Sequence, residues 1–222
     1  MKINRHGRAK VLTQSEIQLI FSHGLDNDRD GYAGRRHRAL FGVCLFSACR
    51  IRECCTLQTQ DIYTLKGNVR PQFVIRKSNT KGKLATRAIP VIEDLRRLLV
   101  EYYPQRGDDY LFPGRSHGHI SEDAAARILR VACQQVDIFG VSSHSFRRTA
   151  LTQMSNAGIP LRVIQEISGH RNLEQLQRYL EVSEDQVLGA AASLAMLSPV
   201  GEDTNKYELQ NNVQLTKMTL DD

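Results

Sequence analysis

No apolar run in this chain approaches the roughly 18 residues that a membrane-spanning helix needs, so a membrane protein is not expected. A secretory leader is not expected either: Met1, Lys2, Ile3, Asn4 and Arg5 lead into polar and basic residues, not into an apolar segment with a small-residue cleavage site. A cytoplasmic protein is the expectation that follows. Cysteine is scarce and odd in number. Cys44, Cys49, Cys54, Cys55 and Cys133 make no C-x-x-C knuckle and no histidine pair follows them, which argues against a zinc site and for reduced, mostly buried thiols. Internal repeats and low-complexity tracts are absent as well.

What is present is ordinary for a globular protein. Hydrophobic residues at 41% and charged residues at 24% of 222 suffice for one sizeable domain plus a tail. The net charge of +6 hides an asymmetry. Residues 1–180 hold 28 basic and 16 acidic side chains, a net of +12, whereas 181–222 set Lys206 and Lys217 against eight acids, a net of −6. A body that basic favours a phosphate-rich partner, because pairing with phosphates releases their counterions.

Periodicity and capping residues outline the elements. Thr13 with Glu16 is a capping-box pattern that opens a helix over about 13–23. Ala39, Leu40, Val43, Cys44 and Phe46 form an apolar helical stripe reaching Arg50, and a short helix is expected around Glu53–Leu57. Between Ile62 and Val91 the period changes. A turn at Lys66-Gly67-Asn68, the run Phe73-Val74-Ile75 and the stretch from Leu84 to Ile89, closed by Pro90, predict a small antiparallel three-stranded β-sheet with its tip near Asn79–Gly82. Helices are predicted over 92–103, 121–136 with Ser121 as N-cap, 145–156, 160–168, 172–180 and 184–197. The fold class is therefore α+β, mainly α-helical. A domain over 1–198 and an acidic, flexible tail over 199–222 complete the expectation.

Four pieces of the chain carry candidate chemistry. In His144-Ser145-Phe146-Arg147, a helix start places His144 and Arg147 where they can face one ligand, although such a pair also serves as an ordinary ion-pairing surface. Gly169 ends a helix and sets His170 at the mouth of a turn, and Tyr179 follows nine residues later on a helix that presents Leu173, Leu176 and Leu180 inward. There Tyr179 could equally be a packing tyrosine. Arg50 ends an apolar helix and needs an anionic partner, either Glu53 or a phosphate. The hairpin tip projects Lys77, Lys81 and Lys83. A fifth pattern is a decoy: Asp26, Asp28, Asp30 and Gly31 resemble the opening of an EF-hand loop, but His37 occupies the twelfth position, where a bidentate glutamate belongs. No metal site is expected there.

Taken in order, A-C-R-I-R-E, a hairpin lysine before R-A-I-P, H-S-F-R-R-T, S-G-H and R-Y resemble the tyrosine recombinase (phage integrase) family over about residues 11–182. The resemblance implies the DNA breaking-rejoining catalytic core. It makes Arg50 and Arg147 the catalytic arginines, His144 and His170 their histidine companions, Lys81 the hairpin lysine, Tyr179 the nucleophile and Glu53 a supporting acid. Lys77, Lys83, Arg148 and Arg171 are expected to contact DNA, with Arg52 and Arg148 serving structure or the DNA backbone. It further implies a site-specific recombinase or integrase acting on double-stranded DNA through a 3′-phosphotyrosine, with no cofactor, metal or ATP. The protein is expected to be a homotetramer on paired sites and a monomer when free. The family's separate amino-terminal core-binding domain is expected to be absent, since few residues precede Arg50. Rival readings are a type IB topoisomerase-like relaxing enzyme, whose DNA clamp is not evident here, and a non-catalytic DNA-binding accessory protein. The resemblance also suggests that Val187 to Leu197 packs onto a neighbouring protomer.

The opposed charges of body and tail give a first test. If 181–222 shields the basic face, deleting 199–222 tightens DNA binding at low salt in an electrophoretic shift assay. Unchanged affinity and oligomeric state would remove the shielding role.

Overall fold

Thr13 starts the first helix by accepting a hydrogen bond from the Glu16 N–H while the Glu16 carboxylate returns to the Thr13 N–H (3.1 Å). This computed structural model describes residues 9–26, 32–80, 86–115, 118–177 and 184–197. Helix α1 (Gln14–Leu19) runs on as a π-helical turn, Ile20–Gly24, in which the Leu25 N–H reaches back to the Ile20 carbonyl (2.7 Å). The wider turn brings Gly24 against Ala132, where a Cβ would stand 2.5 Å from the Ala132 carbonyl oxygen.

Helix α2 (Tyr32–Ser47) is the central element. Ala39, Leu40, Phe41, Val43 and Cys44 are fully enclosed, and Phe41 stacks on Phe146, whose edge Phe21 also meets. All five cysteines are buried thiols, as expected, and burial pushes the Cys49 and Cys54 thiols well above the ordinary range. The chain leaves α2 through Ala48, whose φ of +51° turns it sharply into α3 (Ile51–Cys55).

Helix α4 (Thr59–Ile62) precedes strands β1 (Gln72–Ile75) and β2 (Arg87–Pro90), which pair antiparallel with Gln72 opposite Pro90 and Ile75 opposite Arg87. Among the described residues the sheet has two strands, not the three expected. Ile62 belongs to α4, and Tyr63, tied to the Leu99 carbonyl through its hydroxyl (2.7 Å), is left with a single bridge to Val69. The turn at Gly67 is therefore present, but too little chain flanks it to make a strand.

The remaining helices are α5 (Glu93–Tyr102), α6 (Glu122–Gln135), α7 (Ser143–Asn156), α8 (Leu161–Ser168) and α9 (Leu173–Gln177). Ser121 caps α6 as predicted, accepting from the Ala124 N–H (3.1 Å). A large core gathers around α2, while Ala48, Leu151, Ile164 and Leu176 form a smaller cluster beneath α7, α8 and α9. Leu173, expected inward, is instead exposed: so short a helix turns only Leu176 into that cluster.

The chain divides into two units, Met1–Glu181 and Val182–Asp222, so the expected boundary at 198/199 falls inside the second. In that unit α10 (Glu184–Ser193) runs into a 3₁₀ turn, Leu194–Leu197, with Val187, Leu188, Leu194, Met196 and Leu197 exposed. Leu180 and the tail from 199 lie outside the described residues. No described helix is long and apolar enough to cross a membrane.

The left-handed conformation of Ala48 costs an alanine about 1 kcal/mol, while its buried methyl returns a similar amount. Ala48→Gly is thus expected to leave Tm within about 3 °C of the parent. Ala48→Val, β-branched at positive φ, is expected to cost more than about 2 kcal/mol by urea denaturation.

Candidate active site

Arg50 arrives at the surface because α2 ends just before it and the chain turns. Its extended backbone makes it the N-cap of α3, and the Glu53 carboxylate accepts from the Arg50 N–H (2.9 Å) and from its guanidinium (3.2 Å). Glu53 is only 1% exposed. A carboxylate so enclosed survives as an anion only if cations and N–H groups surround it. Burial alone would raise its pKa, but the hydrogen bonds and charge of Arg87, reinforced by Arg50, outweigh that and hold it below the usual carboxylate value.

Arg147 comes from the first turns of α7, which Ser142 caps together with Ser145 (3.0 Å). Its side chain is buried at 2% exposure, and its guanidinium donates to the Ala48 carbonyl and to the Ser168 carbonyl (2.9 Å). Burial, then the nearby Arg50 charge, lowers its pKa to about 10, which leaves it cationic at neutral pH. Two like charges thus lie close together in a partly dehydrated site. An anion between them relieves the repulsion.

Arg50, Glu53, His144 and Arg147 line one cleft of about 280 Å³, with Ile51, Arg52, Asn79, Glu122 and Ser143. Four of the expected site residues therefore converge from α3 and α7. His144 is exposed at the rim on the first turn of α7.

His170 is not at the open mouth of a turn, as its position after Gly169 suggested, but buried at 6% exposure behind Arg147. Gly169 ends α8 at φ +64°, and the reversal folds the next residue inward. One Arg147 guanidinium nitrogen faces both ring nitrogens of His170, Nε2 at 3.2 Å and Nδ1 at 3.4 Å, and the Ser168 hydroxyl meets Nδ1 (2.7 Å). Burial first, then Arg147, Arg50 and Arg87, push its pKa down to about 3.

The other expected residues are scattered. Lys77 is exposed in a 3₁₀ turn, Lys77–Asn79, and Arg171 is exposed between α8 and α9. Arg148 is buried and donates to the Ala9 carbonyl (2.7 Å), a bond that ties it to the amino-terminal segment, in keeping with the structural half of the expectation for it. Lys81, Lys83 and Tyr179 lie outside the described residues, as do Asp28, Asp30 and Gly31 of the EF-hand-like loop; its Asp26 pairs with Arg38. Asn79, whose amide donates to the Thr56 carbonyl (3.0 Å), and Arg87 were not singled out from the sequence. The only sign of Arg87 was a cation alternating with apolar residues in R-A-I-P just before Pro90.

Comparison with known proteins fits this geometry. The phage integrase family matches residues 10–186. Tyrosine recombinase XerC of Halalkalibacterium halodurans is 35% identical over 162 residues, 68% of this chain and 52% of its own. The chain spans about half the length of the curated relatives it matches. In fold it is similar to the catalytic domain of bacteriophage HP1 integrase (TM-score 0.57, 18% identity, 88% of this chain and 98% of that one). It is also similar to the Tn1549 transposon integrase in complex with a circular intermediate DNA (TM-score 0.67, 16% identity, 89% and 68%).

The low His170 pKa has a consequence for stability. Between pH 6.5 and about 3 the unfolded chain takes up a proton at His170 that the folded chain refuses, so stability falls as the pH falls through that window. The loss is up to about 1.4 kcal/mol per pH unit. Glu53, depressed in the fold, adds a loss of the same sign at lower pH. Urea midpoints at pH 7 and 5 are expected to differ clearly for the parent and much less for His170→Asn.

Proposed function

Since the chain belongs to the phage integrase family, we propose that it cleaves and rejoins DNA strands as a tyrosine site-specific recombinase. The observation that carries this reading is the meeting of Arg50, His144 and Arg147, drawn from segments nearly a hundred residues apart, at one cationic cleft.

A phosphodiester attacked by a phenol passes through a five-coordinate state with added negative charge on its non-bridging oxygens. Arg50 and Arg147 supply charge for those oxygens, Arg50 through the guanidinium that Glu53 orients, Arg147 from a position fixed by two carbonyls. The Tyr179 oxygen forms a bond to phosphorus as the bond to the 5′ oxygen breaks. The phenolic proton leaves to a base or water, and the 5′ oxygen takes up a proton. His144, exposed at the cleft, is the histidine that reaches the phosphate, while the neutral His170 acts through Arg147. Lys81 is the proposed proton donor to the leaving oxygen. The product, a 3′-phosphotyrosine and a 5′-hydroxyl, conserves the bond energy, so religation needs no ATP. Side-chain cations take the part that divalent ions play in other nucleotidyl transfers. Assembly of four copies on paired double-stranded DNA sites belongs to the same reading.

A pool of nicked duplexes of randomised sequence, incubated with the protein in EDTA and then denatured, tests it. The expected result is a DNA-linked band that Tyr179→Phe abolishes and Arg147→Ala lowers by about a hundredfold or more. A band of equal strength from Tyr179→Phe, or none from the parent on any duplex, would overturn the reading.

A further inference from the structure

The two arms of the site, Arg50 with Glu53 on one side and Arg147 with His170 on the other, belong to different helices and do not bond to each other through any cation–carboxylate pair given above. One side chain outside the cleft touches both. Arg87, the first residue of β2, is 10% exposed in its side chain and grips the Glu53 carboxylate with both terminal nitrogens (2.7 and 3.3 Å). Its third nitrogen, Nε, donates to the carbonyl of Ile167 (3.0 Å), two residues before the turn that carries His170. Its guanidinium also lies against Cys49 Sγ (3.8 Å), the residue before Arg50.

The fit against the turn is close. A Cβ built on Gly169 would stand 2.6 Å from Arg87 Nη1, and Gly169 has a φ of +64°. Glycine is needed there twice over, for the backbone reversal and for the room that the guanidinium occupies. A planar fork with donors on two edges can span a carboxylate and a carbonyl at once, which an ammonium on a flexible stem cannot.

We propose that Arg87 is a positioning residue: by holding the Glu53 carboxylate on one edge and the Ile167 carbonyl on the other, it sets the spacing between the Arg50 arm and the Arg147–His170 arm. This rests on the recombinase reading for its consequence in catalysis, but not for its geometry. Arg87 does not line the cleft and needs no contact with DNA. Removing it frees Glu53 to draw Arg50 away from the phosphate and loosens the turn that seats His170 behind Arg147. A displacement of about 1 Å at a reacting group is enough to slow a reaction about a hundredfold.

The test compares the parent with Arg87→Met, Arg87→Lys and Arg87→Met/Glu53→Gln. On the nicked-duplex pool, Arg87→Met is expected to lower the single-turnover rate of covalent-complex formation about a hundredfold while DNA affinity, read by fluorescence anisotropy on the same pool, stays within about threefold. Arg87→Lys keeps a cation beside Glu53 but loses the second anchor, and is expected to recover only part of the rate. The double variant, with no stranded carboxylate, is expected to cleave faster than Arg87→Met alone.

A second readout needs no DNA. In the free protein, the His170 ring resonances are expected to move in Arg87→Met and Arg87→Lys relative to the parent, with Tm recorded for each. Should Arg87→Met fail to fold, Arg87→Lys decides the matter. Parental rate and parental His170 resonances in a folded Arg87→Lys or Arg87→Met would overturn the proposal. If the parent makes no covalent complex with any duplex, the recombinase reading fails, and the His170 comparison still decides whether Arg87 positions the turn.

Discussion

The structure depends on keeping a guanidinium charged where water hardly reaches it. Arg147 is buried at the meeting of α2, α7 and α8, and it remains a cation because backbone carbonyls accept hydrogen bonds from its N–H groups. Those carbonyls sit where helices end: Ser168 is the last residue of α8, and Ala48 follows the last residue of α2. Helix carboxyl termini carry partial negative charge and unsatisfied acceptors, so they neutralise the guanidinium without the full charge of a carboxylate. A carboxylate in direct contact would have cancelled the field that a phosphate must feel. The strained turn at Ala48 follows from this demand, since it is what aims that carbonyl at Arg147.

The carboxylate that orients Arg50 is kept one step back. Glu53 lies beneath Arg50 and is shared with Arg87, so its anion orients one arginine while a second compensates it. Arg50 is left partly exposed toward the cleft, with 28% of its side chain accessible. The result is a layering: neutral imidazole and carbonyls lie behind Arg147, a shared carboxylate lies beneath Arg50, and the partly exposed Arg50 guanidinium faces the cleft.

The order of helices, the Ser121 cap, the Thr13–Glu16 box and the convergence of Arg50 with His144 and Arg147 could be read from the residues, because each rests on local spacing or on a motif whose order along the chain is distinctive. Burial was harder to read. His170 follows a helix-ending glycine, a local signal for exposure, yet the left-handed turn folds it under Arg147. Leu173 carries an apolar side chain yet is exposed, and Ile62 lies in a helix that its β-rich flank concealed. Arg87 escaped notice because its partners, Glu53 and the Ile167 carbonyl, are 34 and 80 residues away in sequence, and no periodicity encodes such pairings. Of the expected chemistry, Lys81 and Tyr179 rest on resemblance, whereas the arginines rest on geometry as well.

Because Arg147 draws its acceptors from the final turns of two helices, fraying at either end reaches the guanidinium directly. The slowest-exchanging amides near Ser47 and Ser168 become a gauge of how often the apo protein visits arrangements unfit to receive a phosphate. Deuterium uptake at those two short stretches would then track competence in the absence of any nucleic acid.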